Sequence, residues 1–176
     1  MNTRLPKNAA SALIVIALTG LTACGASRNA VKVRGAIAVE TPVCSEAALK
    51  AGEGKGSQPI ANLTYYIKNG ESNDPAVIAN KLFTTDENGE FSISLEPGTY
   101  AVLHADKLMS YPDFKLKHLP QSTYFKARDN ECYQRWYNSP DFLITVQNDT
   151  TMQLLVKSRC YTGGNPCLEY TGPKNP

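Results

Sequence analysis

The segment FTTDENGEFSISLEPGTYAVLHAD, residues 83–106, restricts the fold more than any other part of the chain. Within it, EFSISLE alternates: Phe91, Ile93 and Leu95 fall on one side, Ser92 and Ser94 on the other. A period of two is the mark of a half-buried strand, because successive side chains point to opposite faces. Pro97 and Gly98 alone separate this run from TYAVLHA, where Tyr100, Val102 and His104 alternate with Ala101, Leu103 and Ala105. Both sides of the second run are fairly apolar, which fits a central strand covered on both faces. DENG and EPG, which precede the two runs, are turns. Gly89 and Gly98 are expected at positive φ, with Asp86 and Asn88 capping local backbone amides. A calcium loop needs more oxygen ligands than DENG offers, so the acidic run reads as turn chemistry.

Five further strands are expected: residues 31–40, with Val31 and Val33 opposite Lys32 and Arg34; 62–69, with Leu63, Tyr65 and Ile67 on one face; 77–84, which alternates poorly; 141–147; and 151–159. A long connection, 41–61, and the turn cluster GESNDP separate the first three. The strand pattern resembles the carboxypeptidase regulatory-like, or prealbumin-like, β-sandwich. The likeness is carried by VRGAIAV, SQPIANLTYYI, FTTDENGEFSISLEPGTYAV and the closing hairpin DFLITVQNDTTMQLLVK. It implies an all-β, seven-stranded antiparallel sandwich. It implies no particular activity, since one sandwich serves many functions.

The departure from that family lies between strands five and six. Residues 107–140 form an insert of 34 residues with seven aromatics: Tyr111, Phe114, Tyr124, Phe125, Tyr133, Trp136 and Tyr137. Disorder does not suit such a composition, so the insert is expected to fold and pack. Tyr133, Arg135, Trp136 and Tyr137 in CYQRWY form either a small core or a contact platform for a sugar ring or a protein, since Trp, Tyr and Arg dominate binding hot spots.

The first residues carry an address. MNTRLPK is positively charged, AASALIVIALTG is apolar, and LTAC follows. LTAC resembles the lipobox of bacterial lipoproteins, which implies lipidation of Cys24 and removal of residues 1–23. Residues 24–30 would then be a lipidated tether and 31–176 the folded domain. Gly25 after the cysteine resembles the outer-membrane sorting pattern, and the expected location is the outer membrane facing the periplasm. Beyond residue 23 the chain has 16 Lys+Arg and 16 Asp+Glu, with no basic run, which argues against a nucleic-acid partner.

Cys44, Cys132, Cys160 and Cys167 remain, an even number that reads as two disulfides in an exported protein. Zinc is disfavoured because no CxxC pair occurs. Four cysteines allow three pairings. Cys160 and Cys167 enclose the turn-rich YTGGNP and could close a local bridge, leaving Cys44 with Cys132. If each strand reverses direction, strands one, three, five and seven end at one pole. The loop 41–61, the insert and the tail 160–176 all leave from it, and GESNDP lies at the other.

Catalysis finds little support. The chain lacks the C-terminal YRGS of the hydroxyisourate hydrolases that resemble this fold, and has no GxSxG or HExxH. It has two histidines, His104 and His118, without the iron-binding pattern of the intradiol dioxygenases. The expected function is therefore a non-enzymatic, lipid-anchored envelope protein that binds a protein or glycan partner and needs no cofactor or metal. A small enzyme built on His104 or His118 is the alternative.

Overall fold

The computed structural model describes residues 30–45, 50 and 56–173. The strands are β1 (Val31–Thr41), β2 (Gly56–Pro59), β3 (Thr64–Asn69), β4 (Lys81–Thr84), β5 (Glu90–Leu95), β6 (Gly98–His104), β7 (Phe125–Ala127), β8 (Phe142–Val146), β9 (Thr150–Lys157) and β10 (Leu168–Tyr170). A 3-10 turn (Ala105–Leu108) and two helices, α1 (Tyr111–Lys117) and α2 (Asn130–Asn138), lie between β6 and β8.

Two sheets form the body. In one, β1 pairs with β9 along one edge and with β5 and β2 along the other; the second runs β4-β3-β6-β8. The period-two residues meet between them: Val33, Ile37, Phe91 and Leu95 face Tyr65, Ile67, Phe83, Tyr100, Val102, Ile144 and Val146. Phe83 stacks on Phe91 across the sheets at 4.2 Å. Each such side chain stabilises the fold by roughly 1.5–3 kcal/mol relative to exposure. As expected of a central strand, β6 is covered on both faces, with Ala101 and Leu103 as fully buried as Val102.

The all-β sandwich stands, with three corrections. Beyond the seven expected strands, β2 forms in the long loop, and β7 in the insert pairs with β10 in the tail. The sheet is also not wholly antiparallel. β1 and β9 run parallel from Val33↔Thr150 to Glu40↔Lys157. Alternating strand direction explains this: strands one and seven both end at the same pole, so they must pair parallel once adjacent. The strand expected at 77–84 is confined to Lys81–Thr84, consistent with its poor alternation.

The DENG turn forms as its residues dictate. Asp86 Oδ1 accepts the backbone N–H of Asn88 at 2.9 Å and of Glu90 at 2.8 Å, and Gly89 has φ +75°. Gly98, by contrast, does not take positive φ; it is the first residue of β6.

Besides the β7-β10 pairing, side chains hold the insert. Ser110 caps α1 and Asp129 caps α2, the latter accepting from Cys132 N at 2.7 Å. GESNDP, expected at the far pole, folds back to meet it. Asn73, 1% exposed, donates from Nδ2 to the carbonyls of Lys107 and Tyr137 at 2.8 and 3.0 Å, and its Oδ1 accepts from Lys68 Nζ at 2.9 Å.

Both disulfides form, Cys44–Cys160 and Cys132–Cys167. The local Cys160–Cys167 bridge does not. The parallel register decides the first pairing: Glu40 lies opposite Lys157, and the chains leaving those positions bring Cys44 and Cys160 together. The β7-β10 pairing decides the second, since Ala127↔Leu168 sets α2 beside Cys167.

Candidate functional site

At the cysteine pole the strand ends bring together side chains far apart in sequence. β6 ends on His104, and the 3-10 turn carries Asp106 and Lys107. His118 caps the C-terminus of α1, Trp136 stands on α2, and Asp141 lies just before β8. With Tyr65 of β3 and Asn165 of the tail, they line a cavity of about 450 Å³.

Asp106 is its centre. Lys117 Nζ donates to Oδ1 at 2.6 Å, and Oδ2 lies 3.2 Å from His118 Nε2. His104 Nδ1 lies 3.6 Å from Oδ1 and accepts the Asp106 backbone N–H at 3.4 Å. His118 Nε2 is buried and, apart from this approach to Asp106, has no hydrogen-bond partner among the described residues. A second ion pair closes the opposite wall. Lys107, 3% exposed, meets Asp141 Oδ1 at 2.9 Å and donates to Ser139 O at 2.8 Å. Asp141 Oδ2 in turn accepts from His104 N.

These contacts set the protonation states. Burial pushes the His118 imidazole below its ordinary range, and Lys117 and His104 add to this, against the opposing pull of Asp106. Burial would raise the Asp106 carboxyl, but the Lys117 hydrogen bond and the charges of His104, Lys117 and His118 outweigh it and hold the group low. Burial, with the charge of Asp141, pushes the Tyr65 hydroxyl up to about 12. At neutral pH the cavity therefore presents the lysine-paired Asp106 carboxylate, a neutral His118 imidazole and an un-ionised phenol. Among the described residues no three His, Cys, Asp or Glu side chains are placed to hold a metal.

No family model matches the chain, and no curated protein matches it. Among solved structures it is similar to a DUF3823 family protein from Bacteroides ovatus, at 12% identity and TM-score 0.31 over 72% of this chain and 43% of that one. It is also similar to GBS52, the minor pilin of Streptococcus agalactiae, at 11% identity and TM-score 0.33 over 73% and 44%. The N-terminal domain of the shaft pilin spaA from Lactobacillus rhamnosus GG gives 12% identity and TM-score 0.35 over 73% and 92%. The chain thus spans under half the length of the first two. Likeness at this level carries no functional argument, and the site must be read from its own geometry.

The structure separates the four residues of CYQRWY. Tyr133 and Tyr137, one helical turn apart, are buried, with Tyr137 Oη donating to Met109 O at 2.8 Å. Arg135 is 71% exposed and lies 3.6 Å from Glu131 on the same helix. Trp136 alone of the four lines the cavity, partly exposed, its ring 4.6 Å from His118 and 4.9 Å from Phe114. His104 and His118 do come together. Asp106, Lys107, Asp141, Tyr65 and Asn165 were not among the expected site residues, and no local motif marks them. A larger depression, about 530 Å³, lies along β1, β5 and β9. Of its two lining carboxylates, Asp86 and Glu90, Asp86 is already committed to turn amides, and size alone does not make the depression the site.

Proposed function

We propose that this protein is a lipid-anchored component of the cell envelope, facing the periplasm from the outer membrane, whose β-sandwich binds an envelope partner without catalysis. The single observation that carries the reading is the cavity at the cysteine pole. It sets a partly exposed Trp136 beside paired charges and an un-ionised tyrosine, in a wall cross-linked by two disulfides. The anchor rests on LTAC; Cys24 lies outside the described residues. Among the described residues no helix is long and apolar enough to cross a membrane. Cross-linking in native envelopes tests the binding role. The wild type should capture a partner that Trp136→Ala loses while its melting temperature is kept. Equal capture by both would remove the cavity from the function. For the anchor, mass spectrometry should find Cys24 acylated at the mature N-terminus, and Cys24→Ser should block processing.

A second reading has one observation in its favour: Asp106 lies between His104 and His118. A carboxylate beside a neutral imidazole is a general-base arrangement. No serine or cysteine lines the cavity, so the nucleophile would be water or the Thr162 hydroxyl. Under this reading His118→Gln abolishes turnover while ligand binding persists; under the binding reading no turnover exists to lose.

A further inference from the structure

The cavity does not end at His118. His118 and Asn165 also line a second cavity of about 300 Å³, whose lining includes Phe125 and Leu168. The two residues are joined, Asn165 Nδ2 donating to His118 O at 3.0 Å, and they form a partition with a hollow on either side. Besides the histidines, each hollow has one partly exposed aromatic ring, Trp136 in the larger and Phe125 in the smaller.

Charge narrows the class of occupant. Every lysine and carboxylate lining either hollow belongs to a pair: Lys107 with Asp141, Lys117 with Asp106. An ionic ligand would find no unpaired counter-charge and would have to break a half-buried pair, which is costly. A neutral ligand meets no such barrier. The Tyr65 hydroxyl makes no hydrogen bond among the described residues, and Gln121 offers an amide on the other side. Hydroxyl groups, which donate and accept, match this mixed lining. Aromatic rings match the C–H faces of sugar rings. A purely apolar ligand would strand the polar groups.

We infer that the two hollows bind consecutive rings of a neutral oligosaccharide chain, one sugar against Trp136 and the next against Phe125, across the His118–Asn165 partition. The inference rests on the reading of this cavity as the ligand site, and its test separates the two.

Trp136 is the only tryptophan of the chain, so its fluorescence reports on the larger hollow directly. The probes are N-acetylglucosamine and its hexamer, glucose and maltohexaose, an anionic oligogalacturonate and an uncharged peptide. A neutral hexamer should quench Trp136 and bind at least about tenfold more tightly than its monomer, a gain of about 1.4 kcal/mol from the second ring. Salt should leave this affinity unchanged. By calorimetry, Phe125→Ala and Phe125→Leu should both reduce hexamer affinity to the monomer's, and Trp136→Ala should remove binding. Phe125→Leu keeps the bulk without the aromatic face, which guards against misfolding of the alanine variant. Equal monomer and hexamer affinities would overturn the two-ring arrangement. Binding of only the anionic probe, weakened by salt, or of only the peptide, would overturn the neutral-sugar class while leaving the cavity as the site. If no probe binds and envelope capture is indifferent to Trp136→Ala, the site itself falls.

Discussion

Gly89 carries two constraints at once. Its φ of +75° is one that side-chained residues rarely adopt, and a Cβ built there would stand 2.5 Å from the Ile37 carbonyl. That carbonyl also accepts from Ile60 N at 2.9 Å, so it is not free to move aside. Gly89→Val should therefore destabilise by about 1 kcal/mol or more, read as a fall in melting temperature. Asn73 is the second residue on which much depends. It satisfies the carbonyls of Lys107 and Tyr137 and receives the buried Lys68 amine, whose pKa is lowered by burial against the pull of Asp74. Asn73→Ala leaves these groups short of partners and should cost about 2–4 kcal/mol in chemical denaturation. An unchanged midpoint would mean that water replaces the amide without loss.

Among the elements, the insert is the one whose stability is separable. α1 and α2 are each under three turns long and would not persist alone in water. They are held by the aromatic cluster around Phe114, by Asn73, and by Cys132–Cys167, which ties α2 to the tail. Replacing Cys132 and Cys167 together by serine should cost about 2–4 kcal/mol. Hydrogen exchange should rise first in β7, α2 and β10 while β1, β3 and β6 stay protected. Cys44–Cys160 is expected to behave differently. It clamps the ends of two paired core strands, so its loss should free the 160–165 wall of the cavity more than the sandwich. Loss of protection in β1 and β6 together with α2 would show that insert and sandwich unfold as one unit.

At the scale of the whole molecule, the cavity makes stability depend on pH in two stages. The folded state lowers the His118 pKa, so as pH falls the unfolded chain binds that proton first. The His118 contribution is therefore complete above the ordinary imidazole value, about 6.5, and is lost as pH falls through the lower folded value. Asp106 is also depressed; its contribution is complete above the ordinary carboxyl value, about 3.9, and is lost at lower pH still. The groups facing His118 are Asp106, Lys117 and His104. Melting temperature measured from pH 8 to about pH 3 should thus decline first in mild acid and again in strong acid. His118→Gln should flatten the first decline and keep the second. A wild type with no loss between about pH 7 and 5 would contradict the burial of His118.

The sequence alone determined what short-range geometry controls. Phe91, Ile93 and Leu95 had to form a strand face because backbone pleating sets the period. Ala101 and Leu103 marked β6 as covered on both sides, and Asp86 with Gly89 specified their turn. The insert's aromatics suggested only that it folds; its two helices and their caps, Ser110 and Asp129, came from the structure. The tertiary structure alone decided the rest. Whether β1 meets β9, and so whether Cys44 finds Cys160 at a separation of 116 residues, depends on which strands share a sheet, and no local pattern encodes that. Trp136 faces the cavity while Arg135 faces water because the burial of Tyr133 and Tyr137 fixes the rotation of α2. The Asp106–His118 centre exists because the end of β6 and the end of α1 converge. Ordinary polar residues acquire their chemistry there only from the neighbours that long-range packing supplies.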